Sequence, residues 1–384
     1  MKRVALSAAM IALAMPSAAA AAPTHPDVSY DIDSPAAIAG NLLDVYEPQG
    51  FDGPRPVAVF VHGGAWYAGD KANRTIPDKA RAFNDAGYVF VSVNYRLSPN
   101  PPQTANPDRV MFPDHPHDVG EAIAWLRRHV AEYGGDPKRF VLLGHSAGAH
   151  LVSLVATDGS YLDAYDVGRG RVLGAVSLDT AAFDLRGLGS AATSPVNAQV
   201  GWNAFGTRGE NAATGSWTAG SPIVHADPDD PPFLFVTRPN PRRRGDNRAM
   251  AEALGQDPDD VLVVDLTHEQ INAALGDPAD SSGETEAVIA FANAVTRVPK
   301  AKLTGHPRKR VRAAGRRKRV RFRFKSKLPG ATFECRLDGR RRRTCESPKA
   351  YRVKPRRHLF KVRAMNGTLK GETEAFRFRV VGAS

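Results

Sequence analysis

The stretch Arg139-Phe-Val-Leu-Leu-Gly-His-Ser-Ala-Gly148 decides the reading of this chain. Its first half is an apolar run that suits a buried strand. Its second half, Gly144-His-Ser-Ala-Gly148, is a G-x-S-x-G element, and the apolar segment Ala149 to Ala156 that follows suits a helix. Strand, sharp turn and helix in that order lift a serine hydroxyl above the edge of a sheet. Small residues at Gly144, Ala147 and Gly148 let the backbone turn without a clash. Ser146 is therefore the candidate nucleophile.

Outward from this turn, residues 23–298 alternate strand and helix signals. Strands are predicted at Leu42–Tyr46, Val57–Val61, Tyr88–Val93, Phe140–Leu143, Leu173–Leu178, Phe233–Thr237 and Val261–Leu266. Several are continuous apolar runs, as parallel strands buried on both faces require. Asp118–Ala131 places Val119, Ile123, Leu126 and Val130 on one helical face. The alternation predicts an α/β domain with a doubly wound, mostly parallel sheet and right-handed crossovers.

The ends differ from this body. Lys2-Arg3, a short apolar core and an Ala-rich exit make residues 1–22 read as a secretory signal peptide. The apolar core is too short for a comfortable membrane span. The expectation is an exported, extracellular or cell-surface protein. Residues 299–384 hold 29 Lys and Arg against 5 Asp and Glu, a net of +24. The rest of the chain holds 23 against 35, a net of −12, so the overall +12 joins two bodies of opposite charge. Residues 299–317 read as a basic linker. In residues 318–384, Val320–Phe324, Thr332–Leu337, His358–Arg363 and Ala375–Val380 alternate apolar and basic residues with period two. That pattern predicts a small β-sandwich with its basic side chains outward. Cys335 and Cys345 are the two cysteines. An even pair in an exported chain suggests a disulfide, two free buried thiols being the alternative. No Cys/His cluster has zinc spacing, so neither metal nor cofactor is expected.

A serine hydroxyl is a poor nucleophile alone; it needs a base, an orienting acid and donors for an oxyanion. Donors are found after Val57–Val61, in His62-Gly63-Gly64-Ala65-Trp66. The N–H groups of Gly63 and Gly64, with that of Ala147, form the expected oxyanion hole. Trp66 and Tyr67 are candidates for the pocket mouth, with core packing as the alternative. His62-Gly-Gly-Ala-Trp-Tyr-Ala-Gly-Asp-Lys71, Asn94-Tyr-Arg-Leu97, Tyr133-Gly-Gly-Asp-Pro137 and Gly144–Gly148 together resemble α/β-hydrolase-fold esterases. The branch holds feruloyl-esterase-like, acetyl-esterase-like and kynurenine-formamidase-like enzymes, and the resemblance covers roughly residues 35–297. It implies an acyl-enzyme mechanism acting on a small-molecule ester.

His268, after the last predicted strand, fits the base position in that family. His145 and His150 flank Ser146 but read as structural, and Asp70-Lys71 reads as a turn-stabilising pair. In the family the acid usually follows the strand that here ends at Thr237. This chain has Thr237-Arg-Pro-Asn-Pro-Arg-Arg-Arg-Gly-Asp246 there, with no carboxylate near Asn240–Pro241. Asp179, at the end of the preceding strand, is the favoured acid because it shares the carboxyl rim with Ser146 and His268. Asp246 is the alternative, Asp184 a third choice, and a water or Asn240 a fourth. Absence of a long lid insertion would favour short acyl groups.

Phe333-Glu-Cys-Arg-Leu-Asp-Gly339, Cys345-Glu-Ser-Pro348 and His358-Leu-Phe-Lys-Val-Arg-Ala364 resemble a bacterial Ig-like repeat over residues 318–382. That resemblance implies a Cys335–Cys345 disulfide. The charge suits an anionic cell-wall polymer or membrane surface. Nucleic acid is disfavoured as a partner by the export signal. Three functions compete: a secreted serine carboxylesterase, a formamidase or amidase, and an inactive hydrolase-fold protein that binds surfaces.

Overall fold

The computed structural model describes residues 21–31, 39–168, 170, 172–188 and 195–382. Most of the expected signal segment, residues 1–20, lies outside them. The larger body is built on eight strands: β1 (His25–Ser29), β2 (Leu42–Tyr46), β3 (Arg55–Val61), β4 (Val89–Val93), β5 (Gly135–His145), β6 (Val172–Leu178), β7 (Phe233–Thr237) and β8 (Leu262–Val263). They lie in the order β1-β2-β4-β3-β5-β6-β7-β8. Pairing from β4 through β3, β5, β6 and β7 to β8 is parallel, while β1 and β2 join antiparallel. This is the doubly wound, mostly parallel sheet that the apolar runs implied.

Both faces of the sheet are covered. Val57, Val59 and Val61 of β3 pack on one side with the helices Asp114–His129 and Ala147–Thr157. Ala58 and Phe60 pack on the other with Ile76–Asp85 and Glu284–Thr296. One residue's step along a strand exchanges the faces, so a strand buried twice must be apolar throughout.

Four local readings change. The helix predicted at Asp118–Ala131 begins at Asp114 and passes into a 3₁₀ turn at Val130–Tyr133. The strand predicted at Val261–Leu266 pairs only over Leu262–Val263. The basic stretch 299–317 is no plain linker: it supplies β9 (Lys302–Gly305) and β10 (Arg310–Arg312). Its Lys/Arg content hid the pairing, because the apolar positions are too few to show a period. The expected lack of an insertion is also corrected. Between β6 and β7 the chain builds helices at Pro195–Phe205, Arg208–Thr214, Ser216–Ala219 and Pro222–His225. Arg208–Thr214 and Ser216–Ala219 are rich in Gly, Ala, Ser and Thr and Pro222–His225 is a single turn, so these segments carry little amphipathic signal, and with an insertion present short acyl groups are not favoured on that ground.

The C-terminal strands continue with β11 (Lys318–Lys325), β12 (Thr332–Leu337), β13 (Arg343–Thr344), β14 (Lys349–Val353), β15 (Arg357–Asn366), β16 (Leu369–Lys370) and β17 (Glu374–Val381). One sheet runs β10-β17-β15-β12-β13, the other β14-β11-β9. Phe322 from the small sheet stacks on Phe360 from the large one at 3.9 Å between ring centres. Arg319, Arg321, Arg323 and Lys325 of β11 face solvent, as the alternation requires. Cys335 and Cys345 form a disulfide beside this core.

Beneath the insertion, His115 is fully buried, with Nε2 3.0 Å from Ser98 Oγ. Burial, then the neighbouring His150 and Arg96 charges, push its pKa down from 6.5 to about 3. Between these values the unfolded imidazole holds a proton that the native one refuses, so acid favours unfolding. Above 6.5 both states are neutral and the effect vanishes. The urea-unfolding free energy of His115→Gln is expected to fall less steeply than wild type from pH 6.5 to pH 4. The slopes should differ by about 1.4 kcal/mol per pH unit.

Candidate active site

Ser146 stands between β5 and the helix Ala147–Thr157 with φ 54° and ψ −117°. A non-glycine residue in that region is strained and needs close packing to hold it. The packing is supplied by glycines. A Cβ on Gly148 would lie 2.1 Å from the Val61 carbonyl oxygen, and one on Gly144 would lie 2.3 Å from that of Gly148. The Ser146 amide donates to Leu178 O at 2.9 Å, which ties the turn to the end of β6.

Three predicted residues meet here. Ser146 Oγ lies 3.0 Å from His268 Nε2, and His268 Nδ1 lies 2.6 Å from Asp179 Oδ2. His268 opens the helix His268–Ala274, whose start is fixed by a capping box between Thr267 and Gln270. Asp179 follows β6 at φ 49° and is fully buried. Its Oδ1 accepts from Thr237 Oγ1 at 2.9 Å and from the Arg238 amide at 3.3 Å. Its Oδ2 lies 3.4 Å from both Arg238 Nε and Arg243 Nη1, and Arg243 also donates to the Asp179 carbonyl. Burial works to raise the Asp179 pKa. The His268 bond, the Arg243 charge and the Thr237 and Arg238 donors outweigh it and hold the carboxyl below its ordinary value.

The other acids are elsewhere. Asp246 lies inside the helix Pro241–Ala253, half-buried, with Oδ2 unpartnered, and burial raises its pKa. Asp184 is held by Arg186. Asn240, at the usual acid position, caps the helix through a bond from the Arg243 amide. Asp179 thus takes the place beside His268 that the segment after β7 leaves without a carboxylate.

The flanking histidines read as structural, and each has a defined partner. His145 Nε2 donates to the His268 carbonyl at 2.9 Å. Burial, with the His268 ring adding to it, lowers the His145 pKa to about 3, so this ring is a neutral donor. His150 donates to Gly220 O at 2.8 Å and accepts from Trp66 Nε1 at 3.3 Å. Trp66 is mostly core, edge-on to Phe205, although it also borders the cleft at Ser146. Lys71 does not pair with Asp70; it is buried between Asp27 and Asp44, 2.7 Å from each.

Two clefts meet at Ser146. One, of about 490 Å³, is lined by Ala65, Ala147, Thr180, Leu185 and Val200 among others. The second, of about 430 Å³, is lined by Gly63, Gly64, Tyr67, His268 and Asn272. Gly63, Gly64 and Ala147 border the serine from both sides, and Ala147 opens a helix whose first amides lack intrahelical acceptors. His145, Thr237, Arg238 and Arg243 were not among the predicted site residues. Thr237 and Arg238 were accessible in principle, because β7 is the parallel neighbour of β6 and ends on the same rim.

A serine, a histidine and a buried carboxylate in hydrogen-bonded series, at the carboxyl rim of this sheet, define an α/β-hydrolase. The BD-FAE family profile matches residues 43–239, and the chain belongs to that family. The match includes Gly63, Gly64, Ser146 and Asp179 and stops short of His268. The probable carboxylic ester hydrolase LipM of Mycobacterium tuberculosis is 32% identical over 201 residues, covering 51% of this chain and 44% of LipM. Esterase LipQ of the same organism is 42% identical over 118 residues, covering 30% of this chain and 26% of LipQ. The chain therefore spans less than half the length of these curated relatives. Among solved structures, a truncated carbohydrate esterase from gut microbiota superposes with a TM-score of 0.56 at 19% identity, over 73% of this chain and 99% of that one. Thermogutta terrifontis esterase 2 gives 0.53 at 22%, over 71% and 92%. At such identities these two structures support the fold alone.

Gly64 has φ 115°, and a Cβ there would lie 1.9 Å from the Ala68 carbonyl oxygen. Gly245, within a helix, has open space around it. Gly64→Ala is expected to lower the urea-unfolding free energy by about 1–3 kcal/mol. Gly245→Ala should raise it by up to about 1 kcal/mol.

Proposed function

We propose that this protein is an exported serine carboxylesterase working through Ser146, His268 and Asp179. The observation that carries the reading is the unbroken chain Ser146 Oγ, His268 Nε2, His268 Nδ1, Asp179 Oδ2, with bonds of 3.0 and 2.6 Å. LipM and LipQ, named as ester hydrolases, support the choice of an ester over an amide bond.

In this reading Ser146 Oγ attacks the ester carbonyl while His268 Nε2 takes its proton. Asp179 holds the imidazole with Nδ1–H toward itself, which leaves Nε2 free to accept, and it stabilises the imidazolium that forms. The carbonyl oxygen, now negative, is held by the N–H groups of Gly63, Gly64 and Ala147. His268 returns the proton to the departing alcohol, and water repeats the sequence to release the acid. Export rests on the character of residues 1–22, and the Cys335–Cys345 disulfide is in keeping with it. The outward basic residues of the C-terminal strands, net +24 over 299–384, support binding to an anionic cell-wall polymer or membrane surface.

Hydrolysis of p-nitrophenyl acetate tests the triad. Ser146→Ala is expected to lower kcat by about 10⁶-fold. Asp179→Asn should lower it by about 10⁴-fold. Asp246→Asn should stay within about twofold of wild type. Loss of activity confined to Asp246→Asn would reject Asp179 as the acid.

A further inference from the structure

The cleft of about 490 Å³ at Ser146 has one wall made of Arg238, Asn240, Arg242 and Arg243. Three guanidinium groups beside a reacting serine are more than the candidate triad uses. Arg238 and Arg243 each lie 3.4 Å from Asp179. Arg242, by contrast, forms no hydrogen bond or ion pair among the described residues, and it is exposed to the cleft. The one carboxylate on the lining, Asp184, is occupied by Arg186, at 2.6 and 2.9 Å. Asp246, one turn beyond Arg242, is the other nearby acid. The cleft therefore keeps an excess of positive charge.

The local structure makes this placement costly. Arg242, Arg243 and Arg244 occupy the first turn of the helix Pro241–Ala253, and that turn holds no acidic residue. Backbone amide dipoles already make a helix N-terminus positive, so cations there are disfavoured. The Asp179 carboxylate compensates Arg243 and Arg238, while Arg242 has only the electrostatic attraction of Asp246 and no hydrogen bond or close ion pair among the described residues. A guanidinium is a planar fork suited to a carboxylate, and it stays charged at any working pH.

We propose that the ester acted on carries a carboxylate, seated against Arg242 with Arg238, Arg243 and Asn240 around it. This rests on the esterase reading of Ser146 and deepens it by naming the substrate class. Arg242 is then the residue that sets specificity.

Two matched pairs test the proposal. Monomethyl adipate against methyl hexanoate places the charge on the acyl half. Para-acetoxybenzoate against para-acetoxybenzamide places it on the alcohol half. In at least one pair the anionic member is expected to have a kcat/KM about tenfold higher or more, and Arg242→Glu should bring that ratio to one or below. In parallel, calorimetry on Ser146→Ala reads binding of the anionic member without turnover, and Ser146→Ala combined with Arg242→Glu should lose it. Turnover with no anionic preference in either pair, or a preference untouched by Arg242→Glu, overturns the proposal. Binding that depends on Arg242 without turnover of any of the four esters would instead reject the esterase reading and keep the anion site. Neither binding nor turnover would reject both.

Discussion

A buried carboxylate at the end of β6 is the constraint around which this site is arranged. Asp179 has no exposed surface, and an isolated charge so placed is costly unless it is paired and hydrogen-bonded. Here the partners come from two other segments: His268 from the helix after β8, and Thr237, Arg238 and Arg243 from the end of β7 and the helix beyond it. Together these groups supply the hydrogen bonds and opposite charge that a buried carboxylate requires. The histidine that completes the arrangement is held from its other side by a neutral His145. Ser146 and Asp179 both have positive φ at the ends of adjacent strands, so the surrounding packing stores strain where these side chains converge.

Much of this was legible in the residues. Apolar runs such as Val57–Val61 mark strands buried twice, and they gave both the sheet and its parallel sense. Gly144, Ser146 and Gly148 gave the turn, because few residues but glycine fit where Cβ atoms would strike a carbonyl at 2.1 or 2.3 Å. The acid was legible only as a choice, since proximity between residues 179 and 268 depends on the order of strands and not on their spacing. The hydrogen bond between His268 Nδ1 and Asp179 Oδ2 resolves it.

What was missed has physical causes as well. Helices rich in Gly, Ala, Ser and Thr, such as Arg208–Thr214, show no apolar stripe and read as loop. Strands β9 and β10 sit in a run of Lys and Arg where two or three paired residues leave no visible period. Arg242 and Arg243 are plain in the sequence, but their meaning comes from the cleft they line. The same residue type serves differently in the two bodies: on β11 it covers the outside of a sandwich, and after β7 it lies beside a buried carboxylate and lines the cleft at Ser146.

Asp179 is the carboxylate hydrogen-bonded to His268. Proton NMR reads that hydrogen bond directly. A far-downfield imidazole N–H resonance is expected in the wild-type protein, one that vanishes in both His268→Gln and Asp179→Asn and persists in Asp246→Asn. A resonance lost with His268→Gln that survives Asp179→Asn, or that disappears with Asp246→Asn, would contradict this pairing.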